Sequence, residues 1–263
     1  MAFSMSAPLR EARAAVLSAA REAGLDVEVI DALTTQAIQF SGSTAADRNE
    51  HRVDQVVERQ WYASVSAGKP DYSVYDTPWY VAETIACWSI YSRKYLHLCE
   101  KAGLFRQLGP VARVLDLGCG VGITTSALAA RFPDAQVWGT NIEGSTQWRV
   151  AAVLAKSNRF QLTEMIPEMP MDLVFASEFF EHIEAPVTYL SDVLARTHPR
   201  MLVVANTFSA PAIGHFPLYR DPHGTQVNGR RIARLFSKTM REAGYRRAEV
   251  NFWNNRPHVW VRG

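Results

Sequence analysis

The stretch Val114-Leu115-Asp116-Leu117-Gly118-Cys119-Gly120-Val121-Gly122-Ile123-Thr124-Thr125 decides how this chain is read. Residues 113–117 form a short apolar run with a single acid, the pattern of a central parallel strand buried on both faces. Gly118, Gly120 and Gly122 follow at alternate positions, where the chain turns sharply and a ligand can approach the backbone. Residues 123–131 have helical composition, so their first free N–H groups point back at the turn. A glycine turn placed between a strand and a helix carries more weight than the glycines alone.

Outward from that turn, the C-terminal side alternates strand and helix, the mark of a parallel α/β sheet. Strands are expected at 135–141, 160–162, 171–177 and 201–205, with a final pair at 248–253 and 258–262. Helices are expected at 145–157, 186–197 and 228–243. Residues 206–226 read as a long irregular segment. The N-terminal side reads as helices at 8–23, 26–40, 45–67 and 78–103, broken at 41–44 and 68–71 by Ser, Gly, Thr and Pro. The expected organisation is a helical cap over residues 1–104 and a sheet domain over 105–263.

Composition narrows the class. At 263 residues, with 48% hydrophobic and 21% charged, the chain has an ordinary globular make-up. A net charge of +2 points to no particular partner. Three cysteines without a Cys-x-x-Cys pair argue against a disulfide scaffold or a structural zinc. No apolar run approaches membrane-span length, and the N-terminus lacks the basic start and apolar core of a secretory signal. The expectation is cytoplasmic.

The form Asp116-Leu117-Gly118-Cys119-Gly120-Val121-Gly122 resembles the first motif of class I S-adenosylmethionine (SAM) dependent methyltransferases. The resemblance covers about residues 105–263 and implies a Rossmann-like doubly wound sheet with SAM as cosubstrate. It implies cofactor contacts from Asp116, Gly118, Cys119, Gly120 and Gly122. The acid that takes the ribose hydroxyls in the family falls at Asn141, a departure; Asn141 or Glu143 is the candidate for that place, with Ile142 between them counted among the cofactor contacts. Ser177, a further expected cofactor contact, closes the fourth expected strand, and Glu178 and His182 follow it, where ligands bind in such sheets. The resemblance places the transferred methyl there, with His182 as a candidate base and Glu178 as a substrate-orienting acid.

The N-terminal half is rich in aromatic residues. Tyr72-Ser73-Val74-Tyr75-Asp76-Thr77-Pro78-Trp79-Tyr80 reads as a loop, and a ring there, from Tyr75, Trp79 or Tyr80, suits a cationic sulfonium. Segment 208–226 reads as a lid with Phe216 and Tyr219 toward the pocket. His215, Asp221 and His223 match no zinc spacing, so no metal is expected.

These observations lead to a methyltransferase acting on a small molecule at O, N or C. Three alternatives stand beside it. One is a SAM-binding protein without chemistry, resting on Asn141. Another is a nucleic-acid methyltransferase, resting on the C-terminal arginines alone. The third consumes SAM without methyl transfer: its own amino group attacks a side-chain carbon, releasing methylthioadenosine and forming azetidine-2-carboxylate. In that reading Asp116, or the phenol of Tyr75 or Tyr80, takes the amine proton. The partners expected are a small-molecule substrate and a second copy of the chain, with no membrane.

Overall fold

The computed structural model describes residues 7–40, 53–250, 252 and 256–263. Expected elements at 41–52, and part of the expected strand 248–253, lie outside the described residues.

Helices α1 (Ala7–Glu22), α2 (Val27–Phe40) and α3 (Val53–Ser66) come first. A 3-10 turn at Tyr72–Tyr75 leads to α4 (Pro78–Cys87), which Pro78 opens. The single helix expected over 78–103 is divided. A π-helical turn at Trp88–Ser92 separates α4 from α5 (Arg93–Lys101). The Ser89 hydroxyl donates to the Ile85 carbonyl at 2.7 Å, and the amide of Arg93 bonds the Trp88 carbonyl instead. A hydroxyl competing for a helical carbonyl is a known cause of such widening, and π turns gather at functional sites. A short helix, α6 (Leu104–Gln107), precedes the sheet.

The sheet region then alternates as expected: β1 (Arg113–Asp116), α7 (Ile123–Arg131), β2 (Gln136–Thr140), α8 (Thr146–Asn158), β3 (Gln161–Thr163), β4 (Leu173–Ser177), α9 (Pro186–Thr197) and β5 (Met201–Ala205). A two-stranded ribbon follows, β6 (Tyr219–Arg220) against β7 (Gln226–Val227), then α10 (Gly229–Glu242), β8 (Tyr245–Arg247) and β9 (His258–Arg262). Ser145 and Asn228 cap α8 and α10 by accepting from the backbone N–H three residues on. The last hairpin strand lies earlier than expected, at Tyr245–Arg247, because Tyr245 is the buried anchor and donates to the Pro199 carbonyl at 2.7 Å.

The seven-stranded sheet runs β3-β2-β1-β4-β5-β9-β8, parallel except for β9, which is antiparallel to both neighbours. The chain reverses direction across the sheet between β1 and β4, so their carboxyl ends open a crevice. Leu173 to Ala176 of β4 are buried throughout, as a central strand requires. Helix α1 packs on α8 and α2 on α4. Val16, Ile30, Val81 and Ile85 of the helical region share one apolar cluster with Val114 and Leu128 of the sheet region. The N-terminal helices are therefore joined to the sheet region by common core.

Candidate active site

The first wall is the glycine turn. Gly118, Gly120 and Gly122 have φ of +66°, +55° and +87°, a region closed to most side chains. A Cβ on Gly118 would stand 2.2 Å from the Phe179 ring, and one on Gly120 2.6 Å from Thr84 Cγ2. The turn is tied to the end of β2. The amide of Gly118 donates to Thr140 Oγ1 at 3.0 Å, that of Cys119 to the Thr140 carbonyl at 2.9 Å, and Asn141 Nδ2 to the Gly120 carbonyl at 2.7 Å.

Asp116 lies beneath this turn, 2% exposed, and accepts from Thr125 Oγ1 at 2.6 Å. Burial pushes its carboxyl up to about 7, the Thr125 bond opposing only in part. It does not line the cavity described below. Glu143 also lies outside that cavity, exposed to solvent, whereas Asn141 and Ile142 line it.

The second wall is the carboxyl end of β4. Glu178 has φ +51° and so turns its side chain back toward the cap. Its Oε1 accepts from Tyr95 Oη at 3.1 Å and lies 3.8 Å from Arg256 Nη1. Burial raises this carboxyl, and Arg256 opposes the shift. Glu181 is fully buried, accepts from the Thr207 amide at 2.8 Å, and is raised far more by burial and by Glu178 beside it. Of the two, Glu181 is thus pushed further toward its protonated form, and Glu178 has Arg256 to oppose that push. Ser177 and Ser92, the latter from the π turn, share a hydroxyl hydrogen bond at 2.9 Å.

The third wall is the helical region with the irregular segment after β5. Tyr75 Oη meets His182 Nδ1 at 3.0 Å, and the Tyr75 and Tyr80 rings lie 4.5 Å apart. Tyr80 donates to the Ile213 carbonyl at 2.9 Å, Tyr62 to that of Ala212 at 3.2 Å, and Trp61 Nε1 to that of His215 at 2.8 Å. Gly214, at φ +84°, leaves no room for a Cβ: Tyr75 Oη would be 2.2 Å away. Burial raises both the Tyr75 and Tyr80 phenols, so both remain hydroxyl donors at neutral pH. Burial and His215 hold His182 well below the usual imidazole range, which keeps it uncharged.

One cavity of about 730 Å³ joins the three walls. It brings together Gly118, Cys119, Gly120, Asn141, Ile142, Ser177, Glu178, His182, Tyr75 and Tyr80, which sequence reasoning named. Gly122 lies behind the turn against Phe160. Trp79 and Tyr80 stand on the first turn of α4 rather than in a loop. The irregular segment does cover the cavity, through residues 210–213 and His215, but Phe216 and Tyr219 point into the core. Asp221 holds the amides of His223 and Thr225 in a turn. Sequence reasoning missed Phe179, Tyr91, Glu83 and Arg256. Of these, only Phe179 had a local signal, its adjacency to Glu178.

The family described as a methyltransferase domain matches residues 87–249 of this chain. The chain belongs to this methyltransferase domain family. It is a family of SAM-dependent transferases, and SAM is its cofactor. Curated relatives include trans-aconitate 2-methyltransferase of Pseudomonas paraeruginosa, 31% identical over 111 residues, which are 41% of this chain and 37% of the relative. The Deinococcus radiodurans enzyme of the same name is 38% identical over 95 residues, 35% of this chain and 32% of the relative. The chain thus spans about a third of the length of these relatives. Among solved structures, an O-methyltransferase family protein from Burkholderia thailandensis superposes with a TM-score of 0.54 at 14% identity, over 79% of this chain and 70% of that one. That likeness is one of fold. No described helix of this methyltransferase-domain protein is long and apolar enough to cross a membrane.

The methyltransferase-domain site fits SAM. The left-handed Gly118 and Gly120 leave backbone open to the cavity, and Thr124, at the N-terminus of α7, lines it. Ile142, 52% exposed, offers an apolar wall just past β2 that suits a flat apolar ring such as adenine. The aromatic rings and carboxylates opposite suit a cation.

Proposed function

We propose that this chain is a SAM-dependent methyltransferase acting on a small molecule held between the glycine turn and the helical cap. The observation that carries the reading is the single cavity that joins Gly118 and Gly120 to Ser177, Glu178 and His182. Bound there, SAM supplies an electrophilic carbon on its sulfonium. The chain's own contribution is placement and exclusion of water. The glycine turn and Asn141 hold the cofactor side. The tyrosine-pinned segment 210–215 covers the acceptor side. His182 is uncharged and takes the acceptor's proton, with Tyr75 fixing its ring. Burial holds the Tyr75 and Tyr80 phenols in their protonated form, and the buried Asp116 does not line the cavity. The reading is tested by incubating purified protein with SAM and small-molecule extracts. S-adenosylhomocysteine should form, at a rate that His182→Ala lowers.

A second reading is internal attack by the amino group of SAM, releasing methylthioadenosine. It is favoured by the Tyr75–Tyr80 ring pair and the carboxylates facing the same cavity, which together suit a folded, doubly cationic ligand. SAM incubated alone with the protein separates the two: methylthioadenosine above the spontaneous background supports the second and its absence removes it.

A further inference from the structure

The cavity wall carries a charge pattern that bears on the nucleophile. Glu58, Glu83, Glu164 and Glu178 line it, and the one guanidinium lining it among the described residues is Arg256. That guanidinium is already engaged, 3.8 Å from Glu178 and bonded to the Thr207 hydroxyl. The histidines of the wall, His182 and His215, are kept uncharged by burial. Glu83 of α4 accepts from the Cys87 thiol one turn on at 3.7 Å, and Glu178 accepts from Tyr95 of α5 at 3.1 Å, so both carboxylates line the cavity along the α4–α5 side. Tyr80 and Tyr91 add ring faces beside them, Tyr91 stacked on Tyr95 at 6.4 Å.

A polycarboxylate would meet like charge there, and among the described residues the one arginine of the wall is already engaged. A cation meets carboxylates and aromatic faces, the two groups that attract an ammonium most strongly. Trans-aconitate, the acceptor in the names of the curated relatives, is a polycarboxylate. The part of the chain that lines this wall includes α4 and the π turn, ahead of or at the edge of the family match at residues 87–249.

We infer that the nucleophile admitted to this cavity is an amine, held as an ammonium between the Glu83 and Glu178 carboxylates and the Tyr80 and Tyr91 rings. This rests on the reading of the cavity as the SAM site. The amine has two sources: a separate acceptor, or the amino group of SAM itself. In either case one proton leaves the ammonium for the imidazole of His182. The nitrogen lone pair then forms the new bond to carbon. The carbon–sulfur bond breaks, and its electron pair stays on sulfur. A separate amine leaves as its methylated ammonium with S-adenosylhomocysteine. Attack by SAM's own amine leaves a cyclic ammonium with methylthioadenosine.

The test follows S-adenosylhomocysteine and methylthioadenosine separately in four incubations with SAM. These contain SAM alone, SAM with trans-aconitate, and SAM with the cell-extract fraction retained by a cation exchanger or by an anion exchanger. Thermal unfolding of the protein saturated with S-adenosylhomocysteine is measured with the same additions. The inference expects product from SAM alone or with the cation-exchanger fraction. Where a separate amine is the source, that fraction also raises the melting temperature. Glu178→Gln should lower turnover by about tenfold or more, the worth of a charged hydrogen bond. Glu83→Gln, on α4 rather than at the end of β4, should lower it in the same direction and guards against misfolding of the first variant. Turnover with trans-aconitate or the anion-exchanger fraction alone overturns the inference, as does SAM turnover unchanged in both variants. Bound SAM with no turnover in any arm also overturns it while leaving the SAM site standing. Failure to bind SAM removes the site reading itself.

Discussion

The side-chain amide of Asn141 donates to the carbonyl oxygen of Gly120 at 2.7 Å, bracing the cofactor turn from the end of β2. Its Oδ1 accepts from the Ile142 amide at 2.8 Å, so both ends of the side chain are engaged. A carboxylate in this place keeps the acceptor but has no proton for Gly120, and sets oxygen against oxygen. The departure from the family's acid therefore has a structural reason. Asn141→Asp should weaken SAM binding by roughly tenfold, about one lost hydrogen bond plus repulsion, in a calorimetric titration. Tighter binding by the aspartate variant would show that the residue takes the ribose directly instead.

Gly120→Ala should destabilise the fold by about 1–3 kcal/mol, from the left-handed φ and the close approach to Thr84 Cγ2. Part of that cost is steric. The double variant Thr84→Ala/Gly120→Ala should recover some of it in denaturant unfolding. Strict additivity of the two changes would mean that the contact is not the source.

Asp116 gives a pH dependence of defined sign. Its carboxyl is raised by burial to about 7, above its ordinary value, so the folded state holds the proton more tightly than the unfolded chain. Its contribution to stability is then fully present at acid pH, and is lost as pH rises through about 7. Asp116→Asn removes this titration and keeps an acceptor for Thr125. Subtracting the variant's unfolding free energy from that of the wild type should give a difference that falls with rising pH between these limits. A difference that rises with pH would contradict the burial account.

His182→Ala should lower kcat by on the order of a hundredfold or more, the usual worth of a positioned base, and leave the SAM dissociation constant within about twofold. Tyr75→Phe removes the hydroxyl on Nδ1 and should cost less. Because the imidazole is held uncharged, the rate of the wild type should not fall as pH drops through the ordinary histidine range. A steep fall centred there would place His182 in a more solvated setting.

Much of this architecture was legible in the sequence, for physical reasons. Strands such as Met201–Ala205 and helices such as Pro186–Thr197 have clear apolar patterning and proline or glycine borders. The π turn at Trp88–Ser92 was not legible, because one inserted residue barely disturbs the helical spacing of Ile85, Trp88 and Tyr95. Phe216 and Tyr219 lie in a segment without periodicity, so nothing in the sequence told core from cavity there. Arg256 reaches Glu178 from the far end of the chain, a pairing that spacing does not encode. The site's local half, the glycine turn and the end of β4, was readable; the half built by the cap required the tertiary structure.

The central claim is that SAM occupies the cavity between the glycine turn and the cap. The most direct measurement is a calorimetric titration of SAM into the wild type and into Ile142→Asp, a change on an exposed cavity wall that leaves the core untouched. The account predicts one SAM per chain, bound at micromolar concentrations and weakened about tenfold or more in the variant. Folded wild-type protein that takes up no SAM, or a variant that binds it equally well, would contradict it.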